Sequence, residues 1–210
     1  MLYTSIDIET SGLDTENNQV LSIGAVIEDT TKKLSFEDIP KFNAIVLQRQ
    51  ITGSPRALTM NKNIISQMGD YLEGDGVMRQ KLQRTIDFYE KDDVAKAFYE
   101  FLYPHFATES HGTFGNKKFW GDAKPLLINV AGKNFGTFDN VFLKKLPWWQ
   151  KLIIAKQRIL DPAMLYLDWN NDEELPSLSN CKDRAGVKGV VTHDALEDAW
   201  DVVEVLRKFY

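Results

Sequence analysis

The chain contains few of the residues that build disulfide frameworks or zinc sites. Its 210 residues include one cysteine and three histidines. A single cysteine, Cys181, excludes an internal disulfide and favours a reducing, cytoplasmic setting. The same counts argue against a closed zinc site made of cysteine and histidine ligands.

Long apolar runs are missing as well. No stretch reaches the roughly 18 unbroken apolar residues that a membrane helix needs, and no basic leader precedes an apolar run at the start. We therefore expect neither membrane association nor a secretory signal. A composition of 43% hydrophobic and 26% charged residues is typical of a globular protein, and we expect one domain over residues 1–210.

An excess of positive charge is also missing, since the formal net charge is −5. A protein that grips long nucleic acid through its phosphates alone would usually be basic, so the charge counts mildly against such a partner. Acidic residues gathered in a metal site would change that conclusion, because bound cations supply the missing positive charge.

Hydrophobic periodicity predicts a mixed α/β fold with its strands near the start of the chain. Strands are expected over Leu2–Ile8, Gln19–Ile27, Phe42–Leu47, Pro125–Ala131 (buried on both faces) and Arg158–Asp161. Helices are expected from Ser54 to about Met68, after a cap at Asp92-Asp93, through Phe138, Phe142 and Leu146, and from about Asp194 to Lys208. The polar stretches 69–92 and 108–121 are interpreted as irregular loops or insertions.

Two carboxylates share one face of the first strand. Asp7 and Glu9 are two residues apart, so both side chains leave the strand on the same side, while Ile6 and Ile8 point into the core. Adjacent carboxylates repel each other unless they are exposed or a divalent cation lies between them. An isolated pair of this kind is more often a solvated strand edge.

Two further carboxylates flank the apolar stripes of predicted helices. Asp139 comes early in the middle helix, where alone it would be interpreted as a carboxylate stabilised by the helix dipole. Asp198 lies on the last helix, and His193 precedes that helix, where a lone histidine is more often a capping or surface residue. Histidine can accept a proton near neutral pH. Together, four carboxylates and a histidine suit a site for two magnesium or manganese ions.

These residues fall in three segments that resemble the motifs of the histidine branch (DEDDh, or DnaQ-like) of the DEDD 3′–5′ exonuclease superfamily. That family includes ribonuclease T, oligoribonuclease and the proofreading epsilon subunit of bacterial polymerases. The segments are 7–13 (DIETSGL), 134–143 (NFGTFDNVFL) and 193–198 (HDALED). The spacing of His193 and Asp198 is the feature that separates this branch from the tyrosine branch.

The resemblance implies a ribonuclease H-like fold with a mixed five-stranded sheet flanked by helices. It implies that two Mg²⁺ or Mn²⁺ ions are held by Asp7, Glu9, Asp139 and Asp198, and that His193 is the general base. It also implies substrate contacts at Thr10, Leu13 and Asn134. The chain departs from the family at Lys133, where members often have histidine, which puts strand contacts rather than chemistry in doubt.

The implied function is removal of nucleoside 5′-monophosphates from the 3′ end of a single strand, with DNA favoured. Short RNA is an alternative substrate, and the acidic charge favours short or single strands over long duplex. A polymerase or other replication partner is left open. A non-catalytic nucleic-acid-binding module is a third alternative, disfavoured because none of the five family residues is missing.

Two other features carry weaker signals. Trp148 and Trp149, beside several lysines, would suit base stacking, although paired tryptophans more often pack beneath a loop. The segment beginning at Asp168 starts like a calcium-binding loop, but Glu173 and Ser179 occupy positions that need glycine and glutamate. We interpret it as a polar loop.

Overall fold

A five-stranded mixed sheet lies at the centre of the molecule. The structure is a computed structural model that describes residues 1–111 and 120–210. The strands are β1 (Leu2–Thr10), β2 (Val20–Asp29), β3 (Lys41–Val46), β4 (Asp87–Tyr89), β5 (Leu126–Ile128), β6 (Val130–Ala131) and β7 (Ile153–Ala155). The central sheet has the order β4-β3-β2-β1-β6, and β5 pairs with β7 in a small second sheet.

The first three strands form an antiparallel meander, as the sequence predicts, and both outer strands pair in parallel. β1 runs antiparallel to β2, with Asp7 opposite Gly24 and Glu9 opposite Ser22, and the register shifts between Glu9 and Thr10. On its other side β1 pairs in parallel with β6. Within the described residues, β6 pairs only with Thr4 and Ser5, so the end of β1 that carries Asp7 and Glu9 is held by β2 alone.

Helices cover the central sheet. They are α1 (Pro55–Met60), α2 (Lys62–Glu73), α3 (Gly76–Leu82), α4 (Val94–Phe106), α5 (Asp139–Leu143), α6 (Trp149–Leu152), α7 (Leu178–Ala185) and α8 (Ala195–Leu206). Side chains of α4, α5 and α6 pack against the face of the sheet that includes Ile6 and Ile8. Side chains of α7 and α8 pack against the face that includes Tyr3 and Val26. The expected inward orientation of Ile6 and Ile8 is confirmed, since both are buried.

Gly24 allows the last helix to lie directly on the sheet. A Cβ atom at this position would stand 2.1 Å from the backbone carbon of Ala195 and from the backbone nitrogen of Leu196. Any side chain on β2 here would push the first turn of α8 away, since interiors are close-packed. Because Gly24 is paired with Asp7, this close approach brings the start of α8 beside the acidic strand.

The interpretation of residues 69–92 as an irregular stretch is wrong. α2 continues to Glu73, and Asp75 then caps α3 by accepting hydrogen bonds from the backbone of Val77 and Met78. β4 follows, and its Phe88 is buried with its ring stacked 4.1 Å from that of Tyr71. The short apolar pattern of this strand was hidden by its charged neighbours. Residues 112–119 of the other predicted insertion lie outside the described residues.

The prediction of one buried strand over 125–131 is also wrong. The strand is interrupted at Asn129. The carbonyl of this residue accepts a hydrogen bond of 2.9 Å from the Thr4 backbone, and its side-chain amide donates to the Leu2 carbonyl at 2.8 Å. The two halves join different sheets, and Leu127 is 55% exposed.

The second half of the chain differs from the prediction in three further places. The predicted helix through Leu146 ends at Leu143, and Trp148 has a left-handed backbone with φ of 69°. The predicted strand 158–161 is reduced to one bridge between Leu160 and Ala131. α7 was not predicted, although Ser177 caps it and Gly186 ends it in the way that helix boundaries usually show. Within the two described ranges, no helix is long and apolar enough to cross a membrane.

Candidate active site

A cavity of about 420 Å³ opens where β1 ends, between α1 and the start of α8. Four parts of the chain supply its walls: the end of β1 with the turn after it, the first helix after β3, Phe138 just before α5, and the segment around the start of α8. The lining residues include Asp7, Glu9, Thr10, Leu13, Arg56, Met60, Asn61, Phe138, His193 and Asp198. Four of the five residues expected to perform chemistry therefore line one cavity.

The fifth, Asp139, lies directly against the same strand. It is the first residue of α5, it is 3% exposed, and its Oδ1 accepts a hydrogen bond of 3.2 Å from the backbone of Ile8. Ile8 stands between Asp7 and Glu9, so this bond joins the middle helix to the acidic strand.

Asp198 is brought in by the first turn of α8. Asp194 caps that helix by accepting from the backbone of Leu196 and Glu197, and Asp198 follows one turn later, 5% exposed. One ligand atom each from Glu9, His193 and Asp198 lie within 4.8 Å of one another. His193 itself is exposed and has a left-handed backbone with φ of 56°.

Burial and mutual repulsion raise the pKa values of the carboxyl groups on β1. The pKa of Asp7 lies well above its usual value, first because the group is desolvated and then because of the charges of Asp139, Asp198 and Glu9. The pKa of Glu9 is raised to about 8, first by burial and then by the charge of Asp198. These carboxylates therefore lie close enough to one another to compete for the ionised state.

The two helical carboxyl groups are shifted in the same direction. Burial, followed by the charge of Asp201, raises the pKa of Asp198 to about 7. Burial raises the pKa of Asp139 to about 7, and backbone hydrogen bonds from Asp139 itself and from Ile8 partly offset that rise. The four carboxyl groups are therefore unfavourable in their ionised forms unless a positive charge is placed among them.

The donor set fits divalent cations such as Mg²⁺ or Mn²⁺. Hard cations prefer carboxylate oxygens, and carboxylates that repel one another are stabilised by a cation between them. Within the part of the chain that the structure describes, Oδ1 of Asp198 is buried and has no hydrogen-bond partner. Such an atom needs a partner, and a cation would supply it.

We expect the metal-free protein to lose stability as the pH rises from about 5 to about 8. A carboxyl group with a raised folded-state pKa keeps a proton that the unfolded chain has released, so stability falls between the unfolded pKa near 4 and the folded values of about 7 and 8. A pKa that differs by one between the folded and the unfolded chain changes the free energy of unfolding by about 1.4 kcal/mol. For a protein of this size, a change of ~1 kcal/mol moves the Tm by about 2–4 °C.

Thermal melts in chelator at several pH values would measure this effect. The matched control is the Glu9→Gln/Asp198→Asn double variant, which should show a flatter profile. A metal-free Tm that is constant or rises over this pH range would contradict the proposed repulsion.

The three residues expected to contact substrate do not lie together. Thr10 lines the cavity but is buried, and its hydroxyl donates to the Gly12 carbonyl at 2.8 Å. Leu13 lines the cavity and is 83% exposed, so its side chain is free to contact a ligand. Asn134 lies in a different cavity, beside Lys133 and the 171–180 segment, and Lys133 donates to its side chain at 2.9 Å.

Sequence reasoning missed the wall supplied by α1 and by Asn61, the residue that follows it. Asn61 is buried and donates from Nδ2 to the Thr10 carbonyl at 3.1 Å, and a side-chain hydrogen bond from Asn61 lowers the pKa of Glu9 against the larger effect of burial. The Ser54-Pro55 pair predicted a helix here, and Ser54 does cap it. Nothing in the spacing showed that this helix would face β1.

The two tryptophans have different environments. Trp149 is buried and stacks on Phe98 with ring centroids 5.0 Å apart, so the packing alternative holds for this residue. Trp148 is partly exposed, and Lys96 and Lys151 lie over its ring at 5.5 and 5.8 Å.

No family model and no curated protein matches the sequence. Solved structures that share its fold include two exonucleases. One is an Exonuclease I from Methylocaldum szegediense (TM-score 0.57, 14% identity), and the other is E. coli Exonuclease I in complex with a dT13 oligonucleotide (TM-score 0.60, 13% identity). The structural alignments include 99% and 98% of the present chain. The same alignments include only 40% of each of the two exonuclease chains, so the present chain matches less than half of either one. The fold is therefore ribonuclease H-like, with a mixed five-stranded sheet flanked by helices.

Proposed function

We propose that the protein is a metal-dependent 3′–5′ exonuclease that releases nucleoside 5′-monophosphates from single-stranded nucleic acid. The observation that carries the proposal is the meeting of Asp7, Glu9, Asp139 and Asp198, with His193, at the end of β1. These residues come from three separate parts of the chain, and no simpler structural role explains why buried carboxyl groups should be gathered there.

The five residues have two kinds of role in this proposal, metal binding and proton transfer. Asp7, Glu9, Asp139 and Asp198 hold two divalent cations, which when bound supply charge stabilisation at the scissile phosphate and acidify water. His193, exposed at the rim beside Glu9 and Asp198, takes the proton of the attacking water as general base. Asp139 also ties α5 to the backbone of Ile8, which keeps the cluster rigid.

The cavity suits the end of a single strand. Leu13, Met60 and Phe138 line it with apolar side chains against which a nucleobase can stack or pack. The net charge of −5 favours a short contact at a strand end over a long contact with duplex. We favour DNA because one structure with the same fold, E. coli Exonuclease I, was solved with a dT13 oligonucleotide. Short RNA remains the second candidate substrate.

One assay tests the proposal. The protein is incubated with single-stranded DNA, duplex DNA or short RNA, labelled at the 5′ end in one set and at the 3′ end in another, each with Mg²⁺, Mn²⁺ or chelator, and the products are sized. We expect a ladder that shortens from the 3′ end of the single strand, with mononucleotides released and no cleavage in chelator. Binding of the strand without cleavage in either metal would favour the non-catalytic module instead.

Arg56 should contribute to substrate affinity rather than to chemistry. Among the described residues that line the cavity, it is the only lysine or arginine, and it is exposed on α1. We expect Arg56→Ala to raise the Kd for single-stranded DNA about tenfold, which is ~1.4 kcal/mol of binding free energy. The slope of log affinity against log salt concentration should fall by about one, the value for one lost phosphate contact. kcat at saturating substrate should stay the same. Binding titrations at several salt concentrations measure this.

Arg84→Ala is the matched control, since Arg84 is exposed and lies outside the cavity lining. An equal loss of affinity in both variants would mean that Arg56 acts only through net charge.

A further inference from the structure

A buried ion pair lies directly behind the candidate site. Lys182 on α7 and Asp201 on α8 are 3% and 7% exposed, and Nζ of Lys182 lies 2.5 Å from Oδ2 of Asp201. Asp201 follows Asp198 by three residues on the same helix, so the pair sits about one helical turn from the acidic cluster. The catalytic roles proposed above make no use of either residue.

Stability alone does not explain such a pair. Taking two charges out of water costs several kcal/mol per ion, and apolar residues of similar volume are often equally or more stabilising. Buried ionic groups are better attested as devices that fix one arrangement of the chain. The contacts of Lys182 show which part of the chain this pair fixes.

Lys182 holds the segment 186–194, which connects α7 to α8. Its backbone carbonyl accepts a hydrogen bond of 2.9 Å from the backbone of Val187, two residues after α7 ends at Ala185. Its ammonium lies near Gly189, since a Cβ built on that residue would stand 3.8 Å from Nζ, and Gly189 has a φ of 100° that suits glycine. The backbone of Lys182 therefore bonds to the start of this segment, and its ammonium lies near the middle of the segment.

The far end of the same segment carries His193. The Thr192 backbone donates a hydrogen bond to the Asp198 carboxylate, and the Thr192 hydroxyl donates to Glu197 at 2.6 Å. His193 has a φ of 56°, a backbone conformation that non-glycine residues adopt at a cost. Conformations of this kind persist where the surrounding structure imposes them.

We propose that the Lys182–Asp201 ion pair is a positioning device that holds segment 186–194 against α8 and so keeps His193 beside Glu9 and Asp198. This inference rests on the proposed function for the role of His193 in proton transfer. It assigns Lys182 and Asp201 as positioning residues that do not touch the substrate.

The test replaces the pair with apolar residues of similar size, in Lys182→Met/Asp201→Leu, which leaves no unpaired buried charge. We expect this variant to fold, to bind Mn²⁺ as the wild type does, and to lose about tenfold or more of its hydrolysis rate, a tenfold loss being ~1.4 kcal/mol of barrier. In a His193→Ala background the same replacement should cause no further loss, because the group being positioned is gone. An equal loss in both backgrounds, or no loss in either, would overturn the proposal.

Two further measurements keep the result interpretable. Lys182→Arg preserves the charge pair and should retain most of the rate, whereas equal loss in Lys182→Arg and in the apolar double variant would contradict a role for the pair. Hydrogen exchange of the backbone amides in 190–194 does not depend on activity. We expect faster exchange there in the apolar variant, and exchange equal to that of the wild type would overturn the positioning role even if the protein is a nuclease. If instead the wild type hydrolyses no strand but exchange still rises, the proposed function fails and the positioning of this segment stands.

Discussion

Replacing Asp7 with asparagine should lower hydrolysis of a single-stranded 3′ end by about 10³-fold or more at saturating Mg²⁺, because metal catalysis contributes several kcal/mol to the barrier. Asp7 lies on β1 opposite Gly24 of β2, and its carboxyl group feels the charges of Asp139, Asp198 and Glu9. Asparagine keeps the shape of the side chain but removes the charge that a cation needs. Single-turnover cleavage of a labelled oligonucleotide measures the loss.

The same variant should be more stable than the wild type in chelator at pH 8, since one of the mutually repelling carboxylates is gone. Asp70→Asn is the matched control, because Asp70 is exposed on α2 and outside the cavity. It should change neither the rate nor the pH dependence of stability. Substantial activity in folded Asp7→Asn with metal present would remove Asp7 from the proposed metal site.

Replacing His193 with alanine should lower the rate by about 10² to 10⁴, the range for loss of a general base when the rest of the site remains. The metal concentration for half-maximal activity should stay the same. This second expectation matters because an atom of His193 lies within 4.8 Å of ligand atoms of both Glu9 and Asp198, a distance that would also suit a metal ligand. His105→Ala, at an exposed position on α4, is the matched control.

Two results would reassign His193. A large increase in the metal requirement, with the rate restored at high metal concentration, would make it a ligand. An unchanged rate, with chemistry shown to be the slow step, would leave it with no role in the reaction.

The sequence predicted well those parts of the fold that depend on local patterns. The alternation on β1 placed Ile6 and Ile8 in the core, and the apolar stripe of α8 predicted a helix from about residue 194, close to its start at Ala195. The meander of the first three strands follows from their short connections. The five residues expected at the site do come together. The strand and the two helices that carry or follow them lie close to where the sequence predicts them.

What the sequence did not predict depends on contacts between distant residues. The break at Asn129 is set by hydrogen bonds to Leu2 and Thr4, which no local pattern shows. The fit of α8 on Gly24 required knowing which strand the helix would cross. The cavity wall near Asn61 was hidden for the same reason, since Asn61 bonds to Thr10 on another element, and the packing of Phe88 of β4 on Tyr71 added to the masking by charged neighbours.

The most direct test of the central claim is a count of bound ions. Wild-type protein is titrated with Mn²⁺ in the presence of a nucleoside 5′-monophosphate, and free Mn²⁺ is followed by electron paramagnetic resonance. The proposed site should take up two ions per chain, whereas a folded Asp7→Asn/Asp198→Asn variant should take up fewer. Absence of Mn²⁺ binding to the folded wild type, or equal uptake by the variant, would contradict the claim that these carboxylates form a metal site.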